Sequence, residues 1–132
     1  MKSEKKVLIV DDEQDAIDIT ETILSEIEGI VIYSAQDGDS GLVKAKEINP
    51  DLMILDVQMP GKTGFDVFVE LRKDELTKHI PVIMLTGVRE KTGFNFSADY
   101  MKEWFGVEPN AYIEKPVDPE TLQSIVAKIL DL

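Results

Sequence analysis

Five short apolar runs divide this chain of 132 residues, and their spacing restricts the fold more than any other feature. The runs are largely continuous rather than alternating, which is typical of strands buried on both faces of a sheet. The segments between them carry apolar residues at helical spacing. The predicted strands are residues 7–10, 30–33, 52–55, 81–85 and 111–114.

Five predicted helices alternate with these strands. Gly29 closes the first helix, Asn49-Pro50 ends the second, and Gly106 stops the fourth. The fifth is the best defined, since Asp118 caps it and Pro119 takes its first position. Strands joined by crossover helices form a parallel sheet with helices on both faces. The helices are residues 16–27, 40–48, 65–73, about 97–105, and the segment after Asp118, with an apolar stripe at Leu122, Ile125, Val126, Ile129 and Leu130.

Polar groups follow four of the apolar runs, at the points where the strands end. Ligands of open parallel sheets bind outside the carboxyl ends of the strands, at a switch point. We therefore expect a flavodoxin-like, doubly wound (βα)5 fold with strand order 2-1-3-4-5, in which these groups converge on one edge. They are Asp11, Asp12, Asp56, Thr86, Gly87, Lys115 and Pro116.

Three carboxylates at adjacent strand ends need a compensating charge. Asp11, Asp12 and Asp56 would repel one another, and their burial without a partner is costly. A bound Mg²⁺ removes the conflict, because magnesium prefers oxygen ligands and is often held by carboxylates together with a substrate phosphate. The alternative is that each aspartate acts separately as a cap or turn residue, with Asp12 capping the first helix.

A lysine and a hydroxyl complete the predicted site. Lys115 is either an ordinary surface charge or a partner for Asp56 in the empty site and for phosphoryl oxygen in the filled one. A cis bond before Pro116 would fix the turn that aims this lysine. Thr86 offers a hydroxyl and Gly87 an unobstructed N–H, although threonine is also common at strand ends for other reasons.

The composition limits the classes of function. The length suits one domain, residues 1–132, with 43% hydrophobic residues and no cysteine, which excludes disulfides and thiol chemistry. A net charge of -12 argues against nucleic-acid binding by this domain alone, though a basic partner surface fits. No stretch approaches the roughly 20 apolar residues that span a bilayer, and no signal peptide precedes the first strand. We therefore expect a cytoplasmic protein without a membrane partner.

The motifs together resemble the receiver domain of two-component response regulators, from residue 6 to residue 130. The segment Val10-Asp11-Asp12-Glu13 resembles the acidic start of that family. Residues 50–61 resemble the segment around its phosphoacceptor, residues 80–87 the strand with its switch threonine, and residues 112–116 its lysine-proline turn.

The resemblance implies a role for each group. Asp56 would accept a phosphoryl group from a sensor histidine kinase or phosphotransfer protein, by positioning and charge neutralisation. Asp12, Asp56 and the main-chain carbonyl of Gln58 would ligate Mg²⁺, and Asp11 would act mostly through metal-bound water. Thr86, the N–H of Gly87 and Lys115 would hold phosphoryl oxygens, beside Gln58 at the edge of the site.

The output is implied in the same way. Phosphorylation adds roughly -1.5 to -2 charges, which would draw Thr86 inward and let the aromatic Tyr112 turn into the vacated space. The surface of the fourth helix, fifth strand and fifth helix would then select a downstream target, and a phosphorylation-dependent homodimer is a further candidate. Without these neighbours, Tyr112 would be read as ordinary strand packing.

The chain departs from the family pattern between the fourth and fifth strands. Twenty-nine positions separate Thr86 from Lys115, which extends the segment at about 87–110. Its aromatic residues either pack inward or form a docking patch. Gln58 and Val88 flank the site where the family tunes phosphate hydrolysis, and His79 is a loop residue rather than a phosphorelay histidine. The aromatics are Phe94, Phe96, Tyr100, Trp104 and Phe105.

Two other functions compete with a signalling module. A small Mg²⁺-dependent phosphatase would use Asp56 as a covalent nucleophile, but the chain shows no cap domain, glycine-rich phosphate loop or obvious general acid. A scaffold without phosphorylation would require loss of an acidic group or of the lysine, and all are present. We therefore expect no enzymatic activity beyond self-phosphorylation and slow self-dephosphorylation. The chain is expected to be either a stand-alone receiver or a receiver separated from an output domain.

Overall fold

The computed structural model describes residues 4–87 and 109–132. Strands and helices alternate within residues 4–87 and again within 109–132, as the sequence predicts. The strands are β1 (Lys5–Val10), β2 (Ile30–Ala35), β3 (Leu52–Asp56), β4 (Val82–Thr86) and β5 (Ala111–Glu114). The helices are α1 (Gln14–Leu24), α2 (Gly38–Ile48), α3 (Gly64–Lys73) and a last helix, Pro119–Leu130. The predicted helix at 97–105 lies outside the described residues. So do Val88, Gly106 and the aromatic residues at 94, 96, 100, 104 and 105.

The five strands form one parallel sheet in the order β2-β1-β3-β4-β5. This confirms the predicted flavodoxin-like order, with β1 and β3 as neighbours at the switch point. The register pairs Val10 with Leu55 and Asp56 with Leu85, so that β1, β3 and β4 end close to the same line.

Apolar side chains cover both faces of the sheet, which makes the fold doubly wound. On one face, Phe68 and Leu71 of α3 pack with Met53 and Met84. On the other face, α1 and the last helix cover a second core layer that includes Ile17, Leu24, Ile54, Leu122 and Val126. Because β3 lies between the layers, all five of its residues are buried. This double burial explains the continuous apolar run in the sequence.

The helix ends follow the predicted capping with one correction. Asp118 accepts a hydrogen bond from the Thr121 N–H at 2.9 Å, and Asn49 ends α2 in the left-handed region at φ 48°. The prediction that α1 reaches residue 27 is wrong, since it ends at Leu24. There the Ser25 hydroxyl donates to the Thr22 carbonyl at 2.7 Å, and a tight turn leads to Gly29 at φ 88°.

One side of α3 is apolar and buried. Its large side chains are Phe65, Val67, Phe68 and Leu71. Arg72 lies at its margin, where the guanidinium donates to the Ile80 carbonyl at 2.8 Å. Within the described residues, no helix is both long and apolar enough to cross a bilayer.

Candidate functional site

The site forms where four strands end side by side. Asp11 directly follows β1 and its N–H donates to the Ala35 carbonyl of β2 at 3.1 Å. Asp56 is the last residue of β3, and Thr86 is the last residue of β4. The Lys115 N–H donates to the Thr86 carbonyl at 2.7 Å, which continues the β4–β5 ladder into the turn. The predicted convergence of these polar groups on one edge is therefore confirmed.

The three aspartates form a compact acidic cluster. One carboxylate oxygen from each of Asp11, Asp12 and Asp56 lies within 4.8 Å of the others. Asp11 is 2% exposed and Asp56 4%, whereas Asp12 is partly open to solvent. Oxygen ligands in this number, with one open side, suit a hard divalent cation such as Mg²⁺, which keeps part of its water shell.

The alternative in which Asp12 caps the first helix is wrong. Glu13 occupies the cap position of α1, and its side chain makes no capping hydrogen bond. The nearby carboxylate that accepts a local bond is Asp11, from the Glu13 N–H at 3.0 Å. This bond and the burial of Asp11 fix its carboxylate, while Asp12 keeps an oxygen turned toward the cluster.

Lys115 compensates part of the acidic charge, so its reading as an ordinary surface lysine is wrong. Its Nζ donates to Asp56 Oδ1 at 2.9 Å and to Asp11 Oδ2 at 3.4 Å, with 30% of the side chain exposed. The Lys115–Pro116 peptide bond is cis, the geometry that the sequence analysis offers as a way to fix the turn carrying the lysine. One ammonium among three carboxylates leaves a net negative charge at the strand ends.

The electrostatics of Asp56 reflect this environment. Burial raises the pKa of its carboxyl from 3.8 to about 6, against the hydrogen bond from Lys115, and the neighbouring charges of Asp11 and Asp12 raise it further. Burial lowers the pKa of Lys115, but the hydrogen bond and charge of Asp56 outweigh it and the pKa is raised. The lysine therefore stays charged, whereas Asp56 carries an unfavourable charge that a cation would relieve.

The remaining predicted residues lie around this centre. Thr86 is 6% exposed, Gly87 follows it, and Gln58 lies on an exposed turn two residues after Asp56. Tyr112 pairs with Met84 across β4 and β5 and packs, half-buried, against the core layer that contains α2 and α3. His79 is exposed in the turn before β4, as predicted.

Two features of the site escape sequence reasoning. A cavity of about 310 Å³ opens beside Asp11 and Lys115 and is lined by Ile19 and Thr20 of α1. Gly64, the first residue of α3, packs against the main chain of Asp56. Neither feature has a sequence signal. The cavity depends on how α1 lies on the sheet, and Gly64 cannot be told from an ordinary loop glycine in the sequence.

Comparison with known proteins decides the family. Residues 7–127 match the family model of the response regulator receiver domain. The chain belongs to this family. Receiver domains are signalling domains of two-component systems. They interact with histidine kinases or phosphotransfer proteins, and they bind Mg²⁺ in the active site.

Relatives of this receiver domain include both short and long proteins. It is 34% identical over 127 residues to protein PilH of Pseudomonas aeruginosa, covering 95% of this chain and 97% of PilH. It is 35% identical over 129 residues to the DNA-binding dual master transcriptional regulator RpaA of Synechocystis sp., covering 95% of this chain and 48% of RpaA. The receiver domain thus spans about half the length of the transcriptional regulators that it matches.

Solved structures agree with the fold. The chemotaxis protein CheY4 of Vibrio cholerae superposes with a TM-score of 0.79 at 29% identity, covering 96% of this chain and 99% of CheY4. The receiver domain of sensor histidine kinase PA1611 of Pseudomonas aeruginosa has a TM-score of 0.79 at 22% identity, covering 98% of this chain and all of that one. That structure holds a magnesium ion coordinated in its active site cleft.

Proposed function

We propose that this receiver domain accepts a phosphoryl group on Asp56 and converts the added charge into a change of binding surface. The observation that carries the proposal is the environment of Asp56. Its carboxylate is buried, lies 2.9 Å from Lys115 Nζ, and shares a cluster with Asp11 and Asp12. A buried nucleophile between a lysine and two further carboxylates suits transfer of a dianionic group with a cation.

The acidic cluster is the proposed magnesium site. Asp12, Asp56 and the main-chain carbonyl of Gln58 would ligate Mg²⁺, with Asp11 holding the metal-bound water. When bound, the cation neutralises charge on the phosphoryl oxygens. The fit rests on the excess of negative charge, since Lys115 faces both Asp11 and Asp56 and the cluster still holds Asp12.

The transfer needs little covalent work from other residues. The Asp56 carboxylate forms a bond to phosphorus as the bond from phosphorus to the donor nitrogen of a phosphohistidine breaks. The imidazole leaves with that electron pair and with its proton. Lys115, the Thr86 hydroxyl and the Gly87 N–H would hold the phosphoryl oxygens, beside the exposed Gln58.

The output would follow from the position of Thr86. Its hydroxyl would move toward the phosphoryl group, and Tyr112 would turn into the vacated space. Tyr112 is half-buried and packs on the core layer with α2 and α3, so its ring can report the state of β4 at the surface. The surface of β5 and the last helix, together with the predicted helix at 97–105, would then change its affinity for a downstream target or a second copy.

The proposed partners are a sensor histidine kinase or phosphotransfer protein and a downstream target. We propose that residues 1–132 form one domain located in the cytoplasm, with the longer β4–β5 connection as its variable part. It would act as a signalling module, without turnover beyond its own phosphorylation and slow dephosphorylation. Binding to nucleic acid would belong to a separate output domain, because this domain carries a net charge of -12.

Intact mass spectrometry tests the proposal. The protein is incubated with Mg²⁺ and acetyl phosphate, beside an Asp56→Asn variant. We expect a single phosphoryl adduct on the parent protein and none on the variant. Asp51→Asn is a matched control at the other end of β3, where the carboxylate accepts from the Lys6 N–H at 2.8 Å.

The control separates loss of the acceptor from loss of fold. Asp51→Asn should take up the adduct like the parent protein, since an amide oxygen can also accept the Lys6 bond. An adduct that persists in Asp56→Asn, or that is absent from a parent protein that also fails to bind beryllofluoride, would contradict the proposal.

A further inference from the structure

Gly64 lies closer to the phosphoacceptor main chain than any residue with a side chain could. A Cβ built on Gly64 would overlap the Asp56 carbonyl oxygen, and it would come 2.9 Å from the Val57 Cα and 3.0 Å from the Asp56 carbonyl carbon. Contacts under 3.0 Å are essentially never seen for real Cβ atoms. All three atoms belong to the main chain, so no side-chain rotation can relieve the contact.

Close packing, rather than backbone conformation, explains the glycine at this position. The glycines with positive φ in the described segments are Gly29 and Gly61. Gly64 begins α3 and its N–H donates to the Val57 carbonyl at 2.9 Å. The start of the helix is therefore hydrogen-bonded to the segment that it touches, directly after Asp56.

The start of α3 is itself fixed in place. Thr63 and Asp66 form a reciprocal capping box, with the Asp66 N–H donating to the Thr63 hydroxyl and the Thr63 N–H donating to the Asp66 carboxylate. The buried Phe65 and Val67 hold the first turn against the core. An added atom at Gly64 would therefore move the end of β3 rather than the helix alone.

We infer that Gly64 is a positioning residue, whose missing side chain sets the place of the Asp56 main chain and hence of the carboxylate that faces Lys115. The inference deepens the proposed function and rests on it. A displacement at Asp56 and Val57 also moves Gln58, the next residue. A shift of about 1 Å in a reacting group can cost about 100-fold in rate.

The test compares Gly64→Ala with a matched glycine variant. A Cβ at Gly41 of α2 would come 2.9 Å from a methyl carbon of Val10, a contact with a side chain rather than with the main chain of Asp56. Gly41→Ala therefore adds the same atom in a helix without pressing on Asp56. Thermal unfolding gives the stability of each protein. Calorimetric titration gives its affinity for Mg²⁺, and intact mass measured over time gives its rate of phosphorylation by acetyl phosphate.

Gly64→Ala should weaken Mg²⁺ binding at least about tenfold and slow phosphorylation about 10- to 100-fold. Gly41→Ala should keep both within about threefold of the parent protein, whatever its loss of stability. Equal retention of both properties by the two variants would overturn the inference.

A second variant applies if Gly64→Ala does not fold. Thr63→Val removes the hydroxyl end of the capping box and should weaken Mg²⁺ binding about threefold. Unchanged Mg²⁺ binding in Thr63→Val would overturn the inference.

A structural measurement keeps this inference distinct from the proposed function. Without Mg²⁺, amide hydrogen exchange at Val57, whose N–H donates to the Leu85 carbonyl at 3.0 Å, reports the end of β3 directly. It should be at least about tenfold faster in Gly64→Ala than in Gly41→Ala, and equal rates would contradict the inference. A parent protein that takes up no phosphoryl group and fails to bind beryllofluoride would contradict the proposed function alone.

Discussion

At the scale of single residues, the site combines two buried carboxylates with one lysine that faces both. Asp56 is largely shielded from water, and its burial raises the carboxyl pKa to about 6. Because the unfolded chain returns this pKa to 3.8, the folded protein binds more protons between the two values. The contribution of Asp56 to folding is therefore most favourable below the unfolded pKa and is lost as pH rises through the folded one.

Asp56→Asn should consequently stabilise the metal-free protein. At about pH 7.5 in the presence of a chelator, we expect the free energy of unfolding to rise by about 2 kcal/mol. The gain should shrink toward zero as the pH falls below 4, where Asp56 is protonated in both states of the parent protein. Urea unfolding of the parent protein and of Asp56→Asn across this pH range measures it. A variant less stable than the parent protein at neutral pH would contradict the assignment.

Lys115→Met should have the opposite effect. Without the ammonium 2.9 Å from Asp56, the buried carboxylates lose their cationic partner and the pKa of Asp56 rises further. We expect a loss of about 1–2 kcal/mol at neutral pH, smaller than for a fully buried pair because the lysine is partly exposed. The loss should shrink in acid, where Asp56 is neutral. A loss that is constant with pH would mean that the lysine contributes packing rather than charge.

At the scale of helices and strands, capping hydrogen bonds fix where an element begins. Asp118 accepts from both the N–H and the hydroxyl of Thr121, at 2.9 and 2.7 Å, and these bonds hold its pKa below the ordinary value. Asp118→Ala should lower the free energy of unfolding, because the first turn of the helix loses its cap. Glu120→Ala, in the same first turn, is the control and should cost less. Thermal unfolding of the two variants compares them, and equal losses would argue against the cap.

The sequence predicts the sheet well and the details of packing poorly. Continuous apolar runs such as residues 52–55 identify strands directly, because burial on both faces removes polar residues from them. The site is predictable for the same reason, since Asp11, Asp56 and Lys115 each follow such a run. The end of α1 is not predictable in this way, because the apolar pattern continues to residue 27 while the helix ends at Leu24. The contact of Gly64 with Asp56 cannot be predicted from the sequence either. A glycine required for close packing looks the same in a sequence as a glycine required for a turn conformation.

At the scale of the whole molecule, two core layers share one sheet. Val67 packs in the layer with α2 and α3, and Val126 packs in the layer with α1 and the last helix, both fully buried. Val67→Ala and Val126→Ala should each cost about 1–3 kcal/mol in the free energy of unfolding. Because the valines lie on opposite faces, the costs should add within about 0.5 kcal/mol in the double variant. Urea unfolding measures them, and two separate transitions would contradict a single cooperative unit.

The two core layers meet the site at the strand ends, where the Asp56 carboxylate is the proposed phosphoacceptor. Phosphorylated protein can be reduced with borohydride, which converts an aspartyl phosphate to homoserine, and then digested for peptide mass spectrometry. We expect homoserine at position 56 after treatment with Mg²⁺ and acetyl phosphate, and none when the magnesium is chelated. Homoserine at position 11 or 12, or at position 56 without any dependence on magnesium, would contradict it.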